Sequence, residues 1–346
     1  MRVAIDATPL ILSSGGLRRY TEELALALAA NFPQDDFLLT SDQPFLRPAA
    51  DPPNLRCCGG TRTGLERRWW LWGLEREMSR AGSDIFHGTN FAVPYLGRRP
   101  SVLTLHDLSP WRNAVWHHAA DRVRKRTPFL IGLRLATLVI TDTEAVRQEA
   151  IELFGIHPSR VLAIPLAASD RFRPVEAAAG ERPYFLFVGT LEPRKNIPAL
   201  IEAWRAVRGE LDVELVLAGR AREDFLPVSQ EPGLRILGEV RDEDLPGLYS
   251  AALAVVYPSH YEGFGLPVLE AMQCGAAVLV SRDAALREVA GIAAVEFSPA
   301  AMRAAALNPD WLGERRQASR RQAREFSWTR TARLTRAAYE EALRRQ

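Results

Sequence analysis

A chain of 346 residues is too long for one core of ordinary size and calls for two domains of roughly 150 to 200 residues each. With 47% hydrophobic and 25% charged residues the composition is that of a globular protein, and a net charge of +2 gives no bulk attraction to nucleic acid. Three cysteines, Cys57 beside Cys58 and the distant Cys274, form neither a disulfide framework nor a zinc spacing, which fits a reducing cytoplasm.

The opening "MRVAIDATPL" enters an apolar strand pattern at once, which argues against a signal peptide. No apolar run approaches the roughly 20 residues of a spanning helix. Short apolar runs then alternate with longer amphipathic stretches, the pattern of a parallel sheet with crossover helices. "RVAIDA", "DIFHG", "SVLTLHD" and "LVITDT" read as buried strands of a first domain. Helices are expected in "GLRRYTEELALALAANF", "LERRWWLWGLEREMSRAG" and "TEAVRQEAIELFG", the last stopped by Gly155. Three prolines and an alanine-rich stretch place a linker around residues 165 to 182. A second series follows: "YFLFVGT", a helix in "IPALIEAWRAVRG", "VELVLAGR", "GLRILGEV", a helix near "EDLPGLYSAA", "LAVVYPS", a helix from Leu266 to Cys274, and "AAVLVS". The fold class is therefore α/β, two doubly wound domains at 1–165 and 166–328, with a terminal helix of about 329–346 packing back on the first. Ligands of such sheets bind at the carboxyl ends of the strands, so a cleft between the domains is the expected site.

Candidate chemistry gathers at those strand ends. "SSGGLRRY" opens a helix with Gly15 and Gly16, whose backbone can approach a ligand. A plain tight turn is an equal reading, and the spacing is not GxGxxG. "LTLHDLSPW" sets His106 and Asp107 at a strand end, either facing a ligand or forming a hydrogen-bonded corner. His117 and His118 read as surface or packing residues, and with HExxH absent no metal site is expected. "VGTLEPRKN" carries Arg194 and Lys195 just before a helix, two cations that suit a diphosphate; the alternative is a solvated basic turn. Lys195 is one of two lysines among 44 basic residues, and Lys125 is the other. In "YPSHYEGFGLPVLEAMQCG", Glu262 precedes a glycine-rich turn and Glu270 lies on the helix behind it. A loop carboxylate can accept from sugar hydroxyls, a helix carboxylate from a ribose diol, and the backbone of Gly263, Phe264, Gly265 and Leu266 can donate to phosphate.

At these motifs the chain resembles the retaining glycosyltransferases of family 4, from "GGLRRYTEELALAL" through "HDLSP", "TDTEAVRQEA", "VGTLEPRKN" and "LYSAALAVVYPS" to the E-x7-E block and "GAAVLVSRDAALREVAG". It is most similar to the branch with bacterial mannosyltransferases of surface-polysaccharide assembly. The resemblance implies the GT-B fold, two Rossmann-like domains facing each other across a cleft. It implies that Glu262 touches the donor sugar, Glu270 the ribose, Arg194 with Lys195 the diphosphate, and that His106 lies beside the anomeric centre. The Gly15–Gly16 loop would border acceptor and phosphates. The implied reaction moves a hexose with retention, mannose from GDP-mannose being favoured and a UDP-hexose open, to a saccharide or lipid-linked saccharide acceptor. No cofactor and no metal would take part, and the nucleotide sugar is a substrate. Two departures stand out: Thr190 sits where many members carry arginine, and "PLAASD" replaces "PNGVD".

A sugar-nucleotide 2-epimerase shares this architecture, and a degenerate copy would be a non-catalytic nucleotide-sugar-binding subunit; only a transferase needs an acceptor. The expected location is cytoplasmic. Peripheral membrane contact is open, because the helices of "RRYTEELALAL" and "LERRWWLWGLEREMSR" combine arginines with apolar, tryptophan-rich faces. The competing reading puts those tryptophans in the core.

Overall fold

The computed structural model describes residues 1–346 except 13–14, 60–67, 117–119, 177–181, 224 and 226–230. His117 and His118 therefore lie outside the described residues, as do Ser13 and Ser14 of the first glycine loop. The chain divides into two units, Met1–Leu166 with Ser327–Gln346, and Ala167–Phe326.

The first unit holds strands β1 (Arg2–Asp6), β2 (Asp36–Ser41), β3 (Leu55–Gly59), β4 (Ile85–Gly88), β5 (Ser101–Leu105), β6 (Leu138–Thr141) and β7 (Val161–Ala163). They form one parallel sheet in the order β3-β2-β1-β4-β5-β6-β7. β4, β5 and β6 are buried at every position, which is why they read as unbroken apolar runs: helices cover both faces of a parallel sheet. β2, β3 and β7 are absent from the sequence reading. β3 is an edge strand broken by Arg56, and β7 is only three residues long, so neither shows enough apolar sequence to stand out.

The helices Gly16–Asn31 and Glu144–Phe154 form where expected. Thr143 caps the second, its hydroxyl accepting from Val146 N at 3.2 Å, and Gly155 ends it at φ +60°. In the tryptophan-rich segment the core reading of Trp69 and Trp70 holds over the interfacial one. Trp69–Gly73 forms a π-helical turn leading into the helix Leu74–Ala81. Trp69 and Trp70 are buried in the core with Leu74, Met78 and Phe86, and only Trp72, 61% exposed, faces outward. Gly73 must lack a side chain, because a Cβ there would stand 2.7 Å from the Trp69 ring. The apolar face of Gly16–Asn31 is likewise consumed by the fold, with Leu24, Ala25 and Leu28 buried.

The terminal helix Trp328–Arg344 belongs to the first unit. Its buried stripe of Thr331, Thr335, Ala338 and Ala342 recurs every three or four residues and is small enough to lie close against Gly16–Asn31. Thr331 Oγ1 donates to Pro165 O at 2.7 Å, and Arg336 pairs with Asp35 at 2.6 Å.

The second unit repeats the plan with β8 (Tyr184–Val188), β9 (Glu214–Ala218), β10 (Leu234–Gly238), β11 (Ala254–Tyr257), β12 (Val278–Val280) and β13 (Val295–Glu296), ordered β10-β9-β8-β11-β12-β13 and parallel throughout. Both units are thus Rossmann-like. The strand order reverses between β1 and β4 in the first and between β8 and β11 in the second. The helices Ile197–Arg208, Leu245–Ala251 and Leu266–Gln273 agree with the sequence pattern. Ala284–Ala290, Pro299–Leu307 and Pro309–Ala323 were not foreseen. The last of these buries only Ala318, Ser319 and Ala323 of its fifteen residues, a face without large apolar side chains and so without a periodic signal. Among the described residues no helix is long and apolar enough to cross a membrane.

Candidate functional site

Loops leaving neighbouring parallel strands diverge where the strand order reverses, and this opens a concavity at the carboxyl edge. In the second unit the two loops concerned follow β8 and β11. The loop after β8 makes a 3-10 turn at Pro193–Lys195 and ends on Asn196 at φ +54° before the helix Ile197–Arg208. Two bonds join it to the loop after β11: His260 N donates to Arg194 O at 2.9 Å, and Asn196 Nδ2 donates to Pro258 O at 3.2 Å. The junction brings together charges 67 and 68 residues apart in sequence. Lys195 Nζ donates to Glu262 Oε1 at 2.6 Å, and Arg194 Nη1 donates to Glu262 Oε2 at 2.9 Å and to Tyr261 O at 2.7 Å. Arg194 also holds Glu192 Oε1 at 2.8 Å, while Arg222 Nη1 donates to Glu192 Oε2 at 2.9 Å.

Lys195 is 9% exposed and Glu262 5%, which removes the solvated basic turn as a description of this stretch. Ion pairs at such distances and burial are charge-assisted hydrogen bonds in a poorly screened setting. Burial alone would raise the Glu262 pKa, but the Lys195 and Arg194 charges and the Lys195 hydrogen bond overcome it and bring it down to about 2. Burial and the neighbouring Arg194 pull the Lys195 ammonium below its usual range, against the attraction of Glu262. The Lys195 nitrogen also stands 5.7 Å from the centre of the Tyr257 ring.

Eight residues further on, Glu270 sits in different surroundings. It lies on the helix Leu266–Gln273, has no exposed surface, and accepts from Tyr249 Oη at 3.0 Å. The stretch between the two glutamates is itself packed: Phe264 and Leu266 are buried, and Phe264 meets Phe326 edge-on at 5.9 Å. Gly265, at φ +90°, begins the helix where a Cβ would stand 2.5 Å from Leu286. Asp283 fixes the Glu262 backbone. Its Oδ2 accepts from Glu262 N at 3.2 Å, while Oδ1 caps the helix Ala284–Ala290 by accepting from Leu286 N at 2.9 Å. Burial, helped by the Glu262 charge and opposed by those two N–H donors, pushes the Asp283 carboxyl up to about 6.

In the first unit His106 and Asp107 do not bond to each other, so the alternative of a His106–Asp107 corner does not hold. Asp107 instead accepts from Ser109 N and Oγ at 2.9 and 2.6 Å. The partner of His106 is Asp142, past the end of β6, with Nδ1 2.7 Å from Oδ2. His106 Nε2 lies 2.9 Å from Thr89 O, and because a carbonyl only accepts, that nitrogen carries a proton. Burial would depress the His106 pKa; the Asp142 charge and hydrogen bond and the Thr89 carbonyl outweigh it, and the net shift is upward. Both ring nitrogens are thus engaged inside the first unit. Gly15 and Gly16 are exposed, and among the described residues no atom beyond the chain neighbours and the helix's own backbone lies within 4 Å of a Cβ built on either. Close packing therefore does not explain the pair, and only the φ of +108° at Gly15 requires glycine.

The candidates consequently fall into two groups. Arg194, Lys195, Glu262, Gly263, Phe264, Gly265, Leu266 and Glu270 belong to the second unit, and His106, Gly15 and Gly16 to the first. Sequence reading missed Glu192, Arg222 and Asp283, which hold the charged loops together, and Asp142 and Tyr249. Glu192, Asp142, Tyr249 and Asp283 stand inside strings quoted above and Arg222 does not; what had no local signal is the pairing of each with a residue distant in sequence. Among the described residues no group of three or more His, Cys, Asp or Glu side chains gathers as a metal site would.

Two family models cover most of the chain: Glycosyltransferase Family 4 matches residues 14–172, and Glycosyl transferases group 1 matches residues 168–307. The chain is similar to O-antigen chain mannosyltransferase B of Escherichia coli, 39% identical over 235 residues, which is 62% of this chain and 61% of that protein. It is also similar to the serotype-specific mannosyltransferase WbdA of Escherichia coli, 32% identical over 68% of this chain and 32% of that longer protein. This chain thus matches about three fifths of the length of the first relative and a third of the second. A sucrose-phosphate synthase structure from Thermosynechococcus elongatus superposes over the full length of both chains with a TM-score of 0.76 at 20% identity, which shares the fold.

Proposed function

Because the chain belongs to the glycosyltransferases of family 4, we propose that it transfers mannose from GDP-mannose, with retention, to a saccharide or lipid-linked saccharide acceptor. The observation that carries this reading is the Lys195–Glu262–Arg194 cluster at the strand-order reversal of the second unit. The leaving group of such a reaction is a nucleoside diphosphate, on which negative charge grows as the glycosidic bond breaks. Fixed cations whose positions are set before reaction stabilise that charge with little reorganisation. Phosphate oxygens arriving at Lys195 would compete with Glu262 for the ammonium and leave the carboxylate an acceptor for a sugar hydroxyl. Glu270 then serves the ribose diol from the helix behind. His106 is held within the first unit by Asp142 and Thr89. The protein supplies the positive charge in this reading, so turnover is expected to persist in EDTA.

The test is titration of the purified protein with GDP, GDP-mannose, UDP and UDP-hexoses, read as a rise in melting temperature, followed by a search for GDP release. A rise selective for GDP and GDP-mannose, with GDP released only when a saccharide acceptor is added, is the expected result. Conversion of the donor alone would replace the transferase with the 2-epimerase, and binding without either reaction would leave the nucleotide-sugar-binding subunit. A response to UDP-sugars only would overturn the choice of donor.

Peripheral membrane contact belongs to the same proposal but moves to another helix. On Asp121–Gly132 the exposed positions Arg122, Lys125 and Phe129 follow one another at three- and four-residue intervals and continue to Leu133. Two cations and two large apolar side chains, Phe129 and Leu133 being 60% and 58% exposed, suit an anionic bilayer surface. The protein should sediment with vesicles containing phosphatidylglycerol, and Phe129→Ser with Lys125→Ser should lose most of that binding. Equal recovery of parent and variant would remove this contact.

A further inference from the structure

In the first unit the strand order reverses between β1 and β4, and a run of hydrogen bonds frames that carboxyl edge across four strand ends. Thr89, which follows β4, donates from Oγ1 to Asp6 O at the end of β1 at 2.8 Å. Its own carbonyl lies 2.9 Å from His106 Nε2 after β5, and His106 Nδ1 meets Asp142 after β6. The turn after β4 is fixed as well, since a Cβ on Gly88 would stand 1.8 Å from Ala92 O.

Within this frame the side chain of Asp6 is only half used. Asp6 keeps 2% of its surface. Its Oδ1 accepts from Thr8 N at 3.0 Å and from Thr8 Oγ1 at 2.6 Å, while Oδ2 has no hydrogen-bond partner among the described residues. Its neighbours add to the deficit. Among the described residues Thr40, the register partner of Asp6 on β2, buries an Oγ1 without a partner, and Asn90, next to Thr89, buries an Oδ1 without one. Unmet polar atoms of this kind are costly and few in a folded interior. Burial, joined by the Asp42 charge and opposed by the Thr8 hydrogen bonds and the Arg126 charge, raises the Asp6 carboxyl to about 6. Carboxylate and amide oxygens only accept, so the ligand that completes such an edge is one that brings O–H donors. A phosphate brings acceptors and negative charge and does not fit.

We infer that Asp6 is a binding residue for the saccharide acceptor, its Oδ2 accepting a hydrogen bond from a sugar hydroxyl at the carboxyl edge of the first sheet. The inference rests on the proposed function, whose acceptor it assigns to the first unit. The donor also carries sugar hydroxyls, and the experiment separates the two.

The experiment measures GDP release from GDP-mannose by the parent, Asp6→Asn and Asp6→Ser, with methyl α-mannoside and α-mannobiose as acceptor probes. GDP-mannose binding and melting temperature are measured alongside. Asparagine keeps an oxygen for Thr8 and turns only the second acceptor into a donor. Serine keeps an acceptor for Thr8 N in the same turn and serves where the asparagine variant does not fold. The expected result is an acceptor KM raised about tenfold or more in both variants, with GDP-mannose binding within about twofold of the parent and no fall in the melting temperature of Asp6→Asn. One monodeoxy mannoside should lose as much with the parent and nothing further with Asp6→Asn. An unchanged acceptor KM overturns the inference while the proposed function stands. Weaker GDP-mannose binding at an unchanged acceptor KM gives Asp6 to the donor and overturns it too, and a joint fall in melting temperature, donor binding and turnover leaves Asp6 a structural residue. A parent that binds GDP-mannose but uses neither probe removes the inference alone. A parent that neither binds GDP-mannose nor releases GDP removes the proposed function and the inference together.

Discussion

Replacing Glu262 with alanine is expected to abolish transfer and to cost about 3 to 5 kcal/mol of stability, the range for breaking a buried ion pair from one side. The carboxylate is the shared counter-ion of Lys195 and Arg194, at 2.6 and 2.9 Å, and its removal leaves two neighbouring cations facing each other in a site water barely enters. The coupling is local, so Glu262→Ala combined with Lys195→Ala should cost clearly less than the sum of the single changes in a double-mutant cycle. Additive losses would show that the pair does not interact as the geometry demands. The same pairing has a signature in pH. With its pKa lowered from 4.5 to about 2, Glu262 contributes stability that is present above pH 4.5 and lost as pH falls towards 2, about 3 kcal/mol in all. Denaturant titrations of the parent and Glu262→Gln across that window should converge as pH falls, and parallel curves would contradict the assignment.

The second large effect is expected from a residue with no proposed part in chemistry. His87 on β4 is fully buried, with Nδ1 2.7 Å from Tyr339 Oη on the terminal helix and Nε2 2.8 Å from Thr104 Oγ1 on β5, which in turn meets Tyr20 Oη at 3.0 Å. Burial first, then the nearby His106, lowers its pKa from 6.5 to about 3. The folded chain therefore resists a proton that the unfolded chain accepts, and stability attributable to His87 falls as pH drops from 6.5 to 3, by about 4 to 5 kcal/mol in total. His87→Gln keeps an amide that can serve both hydroxyls but does not titrate. It should be less stable than the parent at pH 7 and should overtake it, or close the gap, by pH 4. Asp6 and Asp283, both raised to about 6, act in the opposite sense between about pH 4 and 6, but they are common to both proteins and cancel in the difference. A gap that does not change with pH would mean that His87 is not held neutral.

What was legible in the sequence follows from how far apart the interacting residues lie. Strands β1, β4, β5, β6, β8, β9 and β11 could be read because strands buried on both faces must be apolar along their whole length. The helix Glu144–Phe154 could be read with its ends, because Thr143 and Gly155 make caps within a few residues. The motifs of the candidate site were visible as strings, and Lys195 stood out as a lysine among arginines. The helix Pro309–Ala323 was not visible, since its buried face is small and polar-flanked. The fate of Trp69 and Trp70 was not visible either: an amphipathic arginine-tryptophan helix has the same spacing whether its apolar side meets lipid or a core, and only the neighbours Leu74, Met78 and Phe86 decide.

The sequence by itself determined the α/β class, the alternation that makes two parallel sheets, and the residue types available at each strand end, because periodicity and capping act over less than twenty residues. Tertiary structure alone decided the pairings: Glu262 with cations 67 and 68 positions away, His106 with Asp142 in place of the adjacent Asp107, and Arg222 with Glu192 beside Gly219, which admits no Cβ. The physical reason is common to all three. Buried charges must find partners wherever the sheet order brings strand ends together, and that order is a property of the whole chain.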